Sequence, residues 1–205
     1  MTENGICSPI EILQCQGCGS PIRPDNTDCE YCGSHNIVVA KKSPYDISDA
    51  LCKQYVKHLK PTAIQDDVTS KMAIAMFYIR LKLYDLAIST LNWVIEISPD
   101  ESEAYYYLAL STIKGRRLKV LPMSDVKNIV RLLNAAIAID DSPKYMYLKA
   151  ILYYDYYHLN SLVPPDNDYH SIFADAKDSG TLQATDIQEL QANLAMTDDI
   201  MRLMQ

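Results

Sequence analysis

Four of the six cysteines in this 205-residue chain lie in two copies of one short motif. The sequence Cys-x-x-Cys-Gly-Ser begins at Cys15 and again at Cys29, and ten residues separate the two cysteine pairs. Zinc accepts four ligands in a tetrahedron, and a Cys-x-x-Cys turn places two thiolates on one side of the ion. Two such turns complete the tetrahedron, so the spacing predicts one structural zinc ion. The predicted ligands are Cys15, Cys18, Cys29 and Cys32.

A glycine follows the second cysteine of each pair. Gly19 and Gly33 can adopt positive φ angles because they lack a Cβ atom, which lets each turn fold back so that backbone N–H groups point at the sulfurs. The segment between the pairs contains turn formers such as Pro21, Pro24 and Asp25, and it has few apolar residues. Metal binding must therefore supply the free energy that folds this segment.

Residues 15–34 resemble a short zinc ribbon of the rubredoxin-knuckle type, in which Cys-x-x-Cys-Gly occurs on two β-turns. The resemblance implies the same four cysteine ligands, and the short spacing implies brief strands between the turns. A redox dithiol of the thioredoxin type is one alternative, but that motif uses a single Cys-x-x-Cys at the start of a helix. A catalytic zinc is another, but four protein thiolates leave no position open for water.

Three further residues with metal-binding or redox chemistry fall outside this spacing. His35 follows the second cysteine pair directly, and we interpret it as a residue beside the site because the four cysteines already fill the zinc shell. Cys7 and Cys52 are interpreted as packed or exposed thiols without a metal.

The composition limits the classes of function. Hydrophobic residues make up 48% of the chain and charged residues 22%, so the chain is able to bury a core. A formal net charge of -7 argues against sequence-independent binding to nucleic acid or to anionic membranes. One local basic cluster consists of Lys114, Arg116, Arg117 and Lys119. The sequence has no transmembrane stretch and no signal-peptide pattern, so we expect a cytoplasmic protein with reduced thiols.

From about residue 47 onward the apolar residues recur with a helical period. Residues 69–100 resemble a tetratricopeptide repeat, a helix–turn–helix unit of 34 residues in which small residues let two helices approach closely. The residues that carry the match are Ala75, Tyr78, Ala87, Leu91 and Pro99. A second unit is expected to begin at Glu103 and a third at Ser142, so the resemblance covers residues 69–158.

These patterns predict a mainly α protein with a small N-terminal zinc ribbon and a short tetratricopeptide-like α-helical repeat domain. We expect the ribbon and its flanking segments in residues 1–44, the helical repeats in 45–160, and a loop with C-terminal helices in 161–205. Thr185 and Gln188 fit a capping box at the start of a C-terminal helix. That helix is expected to cap the last repeat, and docking of a partner is the alternative.

The chain contains 15 tyrosines and two phenylalanines. In the tetratricopeptide family the first helix of each unit lines a concave groove that holds peptides, and the resemblance places tyrosine runs on such helices. The candidate partner-binding residues are Tyr105, Tyr106, Tyr107, Tyr153 and Tyr154. Tyrosine offers contact area at low entropic cost. Core packing is the alternative, but consecutive side chains of a helix point about 100° apart, so we expect that not all of a run is buried.

The sequence contains no glycine-rich phosphate loop and no nucleophile elbow. We therefore expect a non-enzymatic adaptor or scaffold subunit that binds a protein partner through its helical repeats. The acidic body fits a basic peptide or a subunit of a larger complex. One alternative is a factor whose zinc ribbon contacts nucleic acid or a polymerase-like machine, and a second is a thiol redox protein.

Overall fold

The computed structural model describes residues 18–20, 29, 31–33, 52–53, 56 and 68–204. These residues are mainly helical and include no β-strand, which confirms the mainly α prediction for the part described. The helices in this part are Val68–Arg80 (α1), Tyr84–Ile97 (α2), Ser102–Ile113 (α3), Met123–Ile139 (α4), Pro143–Leu152 (α5), Tyr169–Ser179 (α6), Ala184–Asn193 (α7) and Asp198–Leu203 (α8). The strands expected in the ribbon and the domain boundary at residue 44 lie outside the described residues.

Helix α4 shows how the apolar pattern directs burial. Its buried side chains recur at intervals of three and four residues, which places them on one face of a helix. They are Val126, Ile129, Val130, Leu132, Leu133 and Ala136. The opposite face is polar and lies in solvent. Among the described residues, no helix combines the length and the apolar character needed to cross a membrane.

Helix α3 is buried on nearly every side. Six consecutive residues, from Tyr106 to Ser111, are buried, and only Glu103, Tyr105 and Thr112 are partly exposed along the helix. An apolar surface that runs all round a helix requires neighbours on all sides. Helix α3 packs against α2, α4 and α1, and α7 also reaches it through the contact of Tyr107 with Glu189.

The helix ends follow local sequence rules with one correction. Pro143 begins α5, where its missing N–H leaves no donor unsatisfied. The capping box of α7 consists of Gln183 and Asp186, so the expectation of a box at Thr185 and Gln188 is wrong. The helix begins two residues earlier than that box requires, because the Asp186 carboxylate accepts the Gln183 backbone N–H at 3.0 Å.

Helix α5 continues into a wider π-helical segment, Tyr153–His158, that buries a carboxylate. Asp155 accepts hydrogen bonds from the Lys119 backbone N–H at 2.8 Å and from the Arg117 guanidinium at 3.2 Å. The short 3₁₀ turn Leu118–Val120, which lengthens the link between α3 and α4, is thereby fixed to the end of α5. In the sequence, Asp155 is recognisable as the single acidic residue between two pairs of tyrosines.

Candidate metal centre and covered helical face

Three of the four predicted zinc ligands come together in the structure. The sulfur atoms of Cys18, Cys29 and Cys32 all lie within 4.8 Å of one another, so they could hold a metal ion. The Sγ atoms of Cys18 and Cys29 are 3.7 Å apart. A tetrahedral zinc ion with bonds of ~2.3 Å separates its sulfur ligands by ~3.8 Å, whereas a disulfide bond brings sulfurs to ~2.05 Å. The geometry therefore fits ligands that share one ion. Cys15 lies outside the described residues.

The two turns have the backbone that the glycines predict. Gly19 has a φ of 74° and Gly33 a φ of 70°. Among the described residues, no atom lies within 4 Å of a Cβ added at either position, and the positive φ by itself favours glycine. The Gly33 N–H donates to the Cys29 carbonyl at 2.9 Å, which closes the second turn.

One backbone N–H group also approaches a sulfur, in the manner that the sequence predicts. The Tyr31 N–H donates to the Cys29 sulfur at 3.4 Å. Such a bond stabilises the thiolate form that binds metal. Cys29 is buried while Cys18 and Cys32 are exposed, so the cluster lies at the surface with one ligand held inside.

Replacing Gly33 with Ala should weaken metal binding at the cysteine cluster about tenfold. An L-residue with a Cβ pays roughly 1–2 kcal/mol to keep a positive φ, and the folding of this turn is coupled to metal binding. Competition with a chromophoric chelator measures the affinity. Tyr31→Phe is the matched control, because the Tyr31 side chain is exposed and its N–H is retained. Equal affinities for the Gly33 variant and the wild type would show that the positive φ is not required.

Of the remaining candidates, Cys52 alone lies among the described residues, and it is not part of the cluster. His35 and Cys7 lie outside the described residues. Cys52 is fully buried in the hydrophobic core with residues of the helices, which corresponds to the interpretation of a packed thiol. Among the described residues, the metal-binding group therefore contains cysteines of the two motifs alone.

Four of the five candidate partner-binding tyrosines are buried. Tyr106, Tyr107, Tyr153 and Tyr154 are core residues, and of the five candidates only Tyr105 is partly exposed. The spacing of about 100° between consecutive side chains predicts that a run leaves a ring at least partly exposed, and Tyr105 is that ring in its run, whereas Tyr153 and Tyr154 are both buried. The first helices are instead covered on both faces, so these side chains do not line an open groove.

The C-terminal helices supply this second cover. Helix α7 packs against α1, and the Tyr107 hydroxyl donates to the Glu189 carboxylate at 3.2 Å. Helix α6 packs against α5, where the rings of Tyr147 and Phe173 meet edge to face with centroids 5.9 Å apart. The C-terminal segment that is expected to cap the last repeat thus lies across α1, α3 and α5. These are the first helices of the three expected units.

A buried polar cluster lies where α3, α5 and α7 meet. The Lys144 ammonium pairs with the Glu103 carboxylate at 2.6 Å, and it also lies 5.2 Å from the ring centroid of Tyr106 and 5.5 Å from that of Tyr107. Burial alone lowers the pKa of Lys144, but the Glu103 and Glu189 carboxylates more than reverse this effect, so the pKa is raised. Lys144 therefore stays charged in the interior.

Glu189 is the acidic group of α7 in this cluster. Burial raises the pKa of the Glu189 carboxyl to about 7, and the nearby Lys144 charge and tyrosine hydroxyls offset part of that rise. The sequence gives little indication of either buried charge. Both Lys144 and Glu189 stand at helix positions that would be solvent-exposed without the contact between α3, α5 and α7.

The basic cluster between α3 and α4 is largely neutralised within the chain. Lys114 pairs with Asp85 at 2.6 Å, Arg116 with Asp125 at 2.9 Å, and Arg117 with Asp155 at 3.2 Å. Three of the four cations in the cluster thus face a carboxylate of this protein. Paired cations attract phosphate groups less than unpaired ones do, so this cluster does not favour a nucleic-acid site.

Neither a protein-family model nor a curated protein matches the chain.

Proposed function

We propose that this protein is a non-enzymatic adaptor with a structural zinc site, whose helical body binds a protein partner. The observation that carries the proposal is the convergence of Cys18, Cys29 and Cys32 on one point from two Cys-x-x-Cys-Gly turns. Four thiolates around a tetrahedral site suit zinc among the common metals and leave no position for a substrate. Cys15 supplies the fourth ligand in this proposal.

The helical body supports the scaffold part of the proposal. Successive helices α1 to α4 each pack against the next, as stacked helical hairpins do, and the resemblance to tetratricopeptide units covers residues 69–158. We assign the protein to the cytoplasm, where thiolate metal sites are common and disulfides are rare.

The partner surface we assign is an apolar stripe on α2, in place of the buried tyrosines. Leu83, Leu86 and Ile97 are 42%, 39% and 56% exposed, and Trp93 lies partly exposed between the last two. These positions follow one another by three, seven and four residues, so they share one side of the helix. A helix of a partner packs against such a stripe through its own apolar side.

The charge at the Ile97 end of the stripe favours one kind of helix, whereas the Lys71 ammonium lies 5.1 Å from the Trp93 ring centroid in the middle of the stripe. Glu96 and Asp100 are exposed at the end of α2 that carries Ile97, and the whole chain has a net charge of -7. We therefore assign the stripe to an amphipathic helix of another protein with basic residues beside its apolar face. A nucleic-acid partner would find few unpaired cations on the described surface of the helices.

Changing Leu86 and Ile97 together to Asp should remove the partner, with a loss of affinity of more than about tenfold. Neither residue belongs to the buried core, since Leu86 is 39% and Ile97 56% exposed, so the melting temperature should change little. Affinity purification from the native cell with quantitative mass spectrometry compares the variant with the wild type. Val163→Asp is the matched control, because Val163 is 89% exposed on a different surface loop.

Only proteins lost from the double variant and retained by the control count as partners of the stripe. The assignment to α2 fails if every co-purifying protein is retained by the double variant. The adaptor proposal itself fails if neither the double variant nor the wild type retains any protein above the level of an unrelated bait.

A further inference from the structure

Helix α7 lies against α1, α3 and α5, and the short helix α8 follows it; together, residues 184–203 form a cover that is attached by few buried side chains. The fully or nearly fully buried apolar residues of the cover are Leu190, Leu194 and Ile200. Segments with short helices and few buried contacts open at lower free energy than a domain core does. The connection to α6 contains Gly180, whose φ of 149° lies in a region that favours glycine.

The cover carries a buried carboxyl group that is poorly compensated when ionised. Oε2 of Glu189 accepts the Tyr107 hydroxyl at 3.2 Å, and Oε1 accepts no hydrogen bond of normal geometry from the described residues. Lys144, the nearby cation, already pairs with Glu103 at 2.6 Å. An ionised Glu189 would therefore place a second negative charge against one positive charge in the interior, where unbalanced charge is costly.

We propose that α7 and α8 act as a proton-controlled cover, which stays closed over α3 and α5 while Glu189 is protonated and opens more often once Glu189 ionises. The neutral carboxyl still accepts the Tyr107 hydroxyl and has a proton of its own to donate. The ionised carboxyl regains water only when the cover leaves the surface.

Burial of the Glu189 carboxyl determines this direction, against most of the groups around it. From α3, Glu103 opposes ionisation and the hydroxyls of Tyr106 and Tyr107 favour it, while from α5 Lys144 favours it. The titratable residues of α1, which also packs on α7, are Lys71, Tyr78 and Arg80. None of the three affects Glu189 as strongly as the four groups from α3 and α5. Burial outweighs all of these contributions and raises the pKa from 4.5 to about 7.

The sign of the effect follows from the raised pKa. The stability that the closed cover gains from the protonated carboxyl is fully present below pH 4.5 and is lost as the pH rises through about 7. For a group with these two pKa values, the equilibrium constant for opening increases by about 70-fold between pH 5 and pH 8. Opening would expose Tyr107, Lys144 and Glu103, a surface separate from the stripe on α2. The opening of the cover therefore requires neither a partner nor bound metal.

Hydrogen–deuterium exchange of the full chain tests the proposal. Exchange at pH 5 and pH 8 is corrected for the intrinsic dependence of exchange on pH, and protection is compared for α7, α8 and α3. We expect protection of α7 and α8 to fall by tens of fold at pH 8 while α3 keeps its protection. In Glu189→Gln, the protection of α7 and α8 should be the same at pH 5 and pH 8, since Gln keeps the acceptor for Tyr107 without a charge.

Two further variants make the result specific. Asp175→Asn removes an exposed carboxylate from α6 and should behave like the wild type. Glu189→Met removes the charge by a second route and should also be insensitive to pH. Equal protection of the wild-type cover at both pH values overturns the proposal, as does an unchanged pH response in both Glu189 variants. A parallel loss of protection in α3 would also overturn it, because the transition would then be global unfolding.

Discussion

Replacing Cys29 with Ser should abolish stoichiometric zinc binding, with a loss of affinity greater than about 100-fold. Cys29 is the buried member of the cluster, its sulfur lies 3.7 Å from that of Cys18, and it receives the Tyr31 N–H. A hydroxyl is a far weaker zinc ligand than a thiolate, and the removal of one ligand leaves an open tetrahedron. Elemental analysis of the purified variant measures the metal directly.

Cys52→Ser is the control for this change. Cys52 lies in the helical core and is not part of the metal-binding group found among the described residues, so this variant should lose some stability and keep its zinc. The far-ultraviolet circular dichroism of Cys29→Ser should remain helical, because burial and not metal stabilises helices α1 to α8. Full zinc content in Cys29→Ser, or loss of zinc in Cys52→Ser, would show that the ligands are different ones.

Replacing Tyr106 with Ala should lower the free energy of unfolding by about 3–5 kcal/mol. Tyr106 is fully buried, and its ring lies 5.2 Å from the centroids of both Tyr107 and Tyr145. The truncation leaves a cavity in the centre of α3 and removes these ring contacts. Chemical denaturation followed by circular dichroism measures the change.

Tyr105→Ala provides a matched comparison on the same helix. Tyr105 is partly exposed, and its hydroxyl donates to the Pro99 carbonyl at 3.0 Å, so its loss should cost about 1 kcal/mol. If both variants lose the same stability, then Tyr106 is not the core residue that its burial indicates. If Tyr106→Ala unfolds with wild-type stability, the packing of α3 described above is wrong.

The sequence predicted the metal site better than it predicted the helical face. Each of the two turns contains a cysteine pair followed by a glycine of positive φ. These local features determine the positions of Cys18, Cys29 and Cys32, so the spacing alone was informative. Helices α2 and α4 were also predictable, because their apolar residues recur every three or four positions and the pattern is visible within one or two helical turns. Two helix boundaries were predictable from prolines: Pro99 follows the last residues of α2, and Pro143 is the first residue of α5.

The burial of the tyrosines depends on contacts that are distant in sequence. Tyr107 meets Glu189, 82 positions later, and no local pattern near either residue indicates the contact. The π-helical segment also changes which sides Tyr153 and Tyr154 present, since a wider turn shifts the phase of the side chains. The capping box of α7 was misplaced because Gln183 and Asp186 compete with a second pair of suitable residues two positions later.

Zinc K-edge X-ray absorption of the full chain, purified under reducing conditions, examines the metal site without any substitution. We expect about one zinc ion per chain with four sulfur neighbours at ~2.3 Å and no nitrogen or oxygen in the coordination shell. Such a spectrum would place Cys15 beside Cys18, Cys29 and Cys32 as the fourth ligand. A protein without zinc, or zinc with a water molecule among its ligands, would contradict a structural site made of four thiolates.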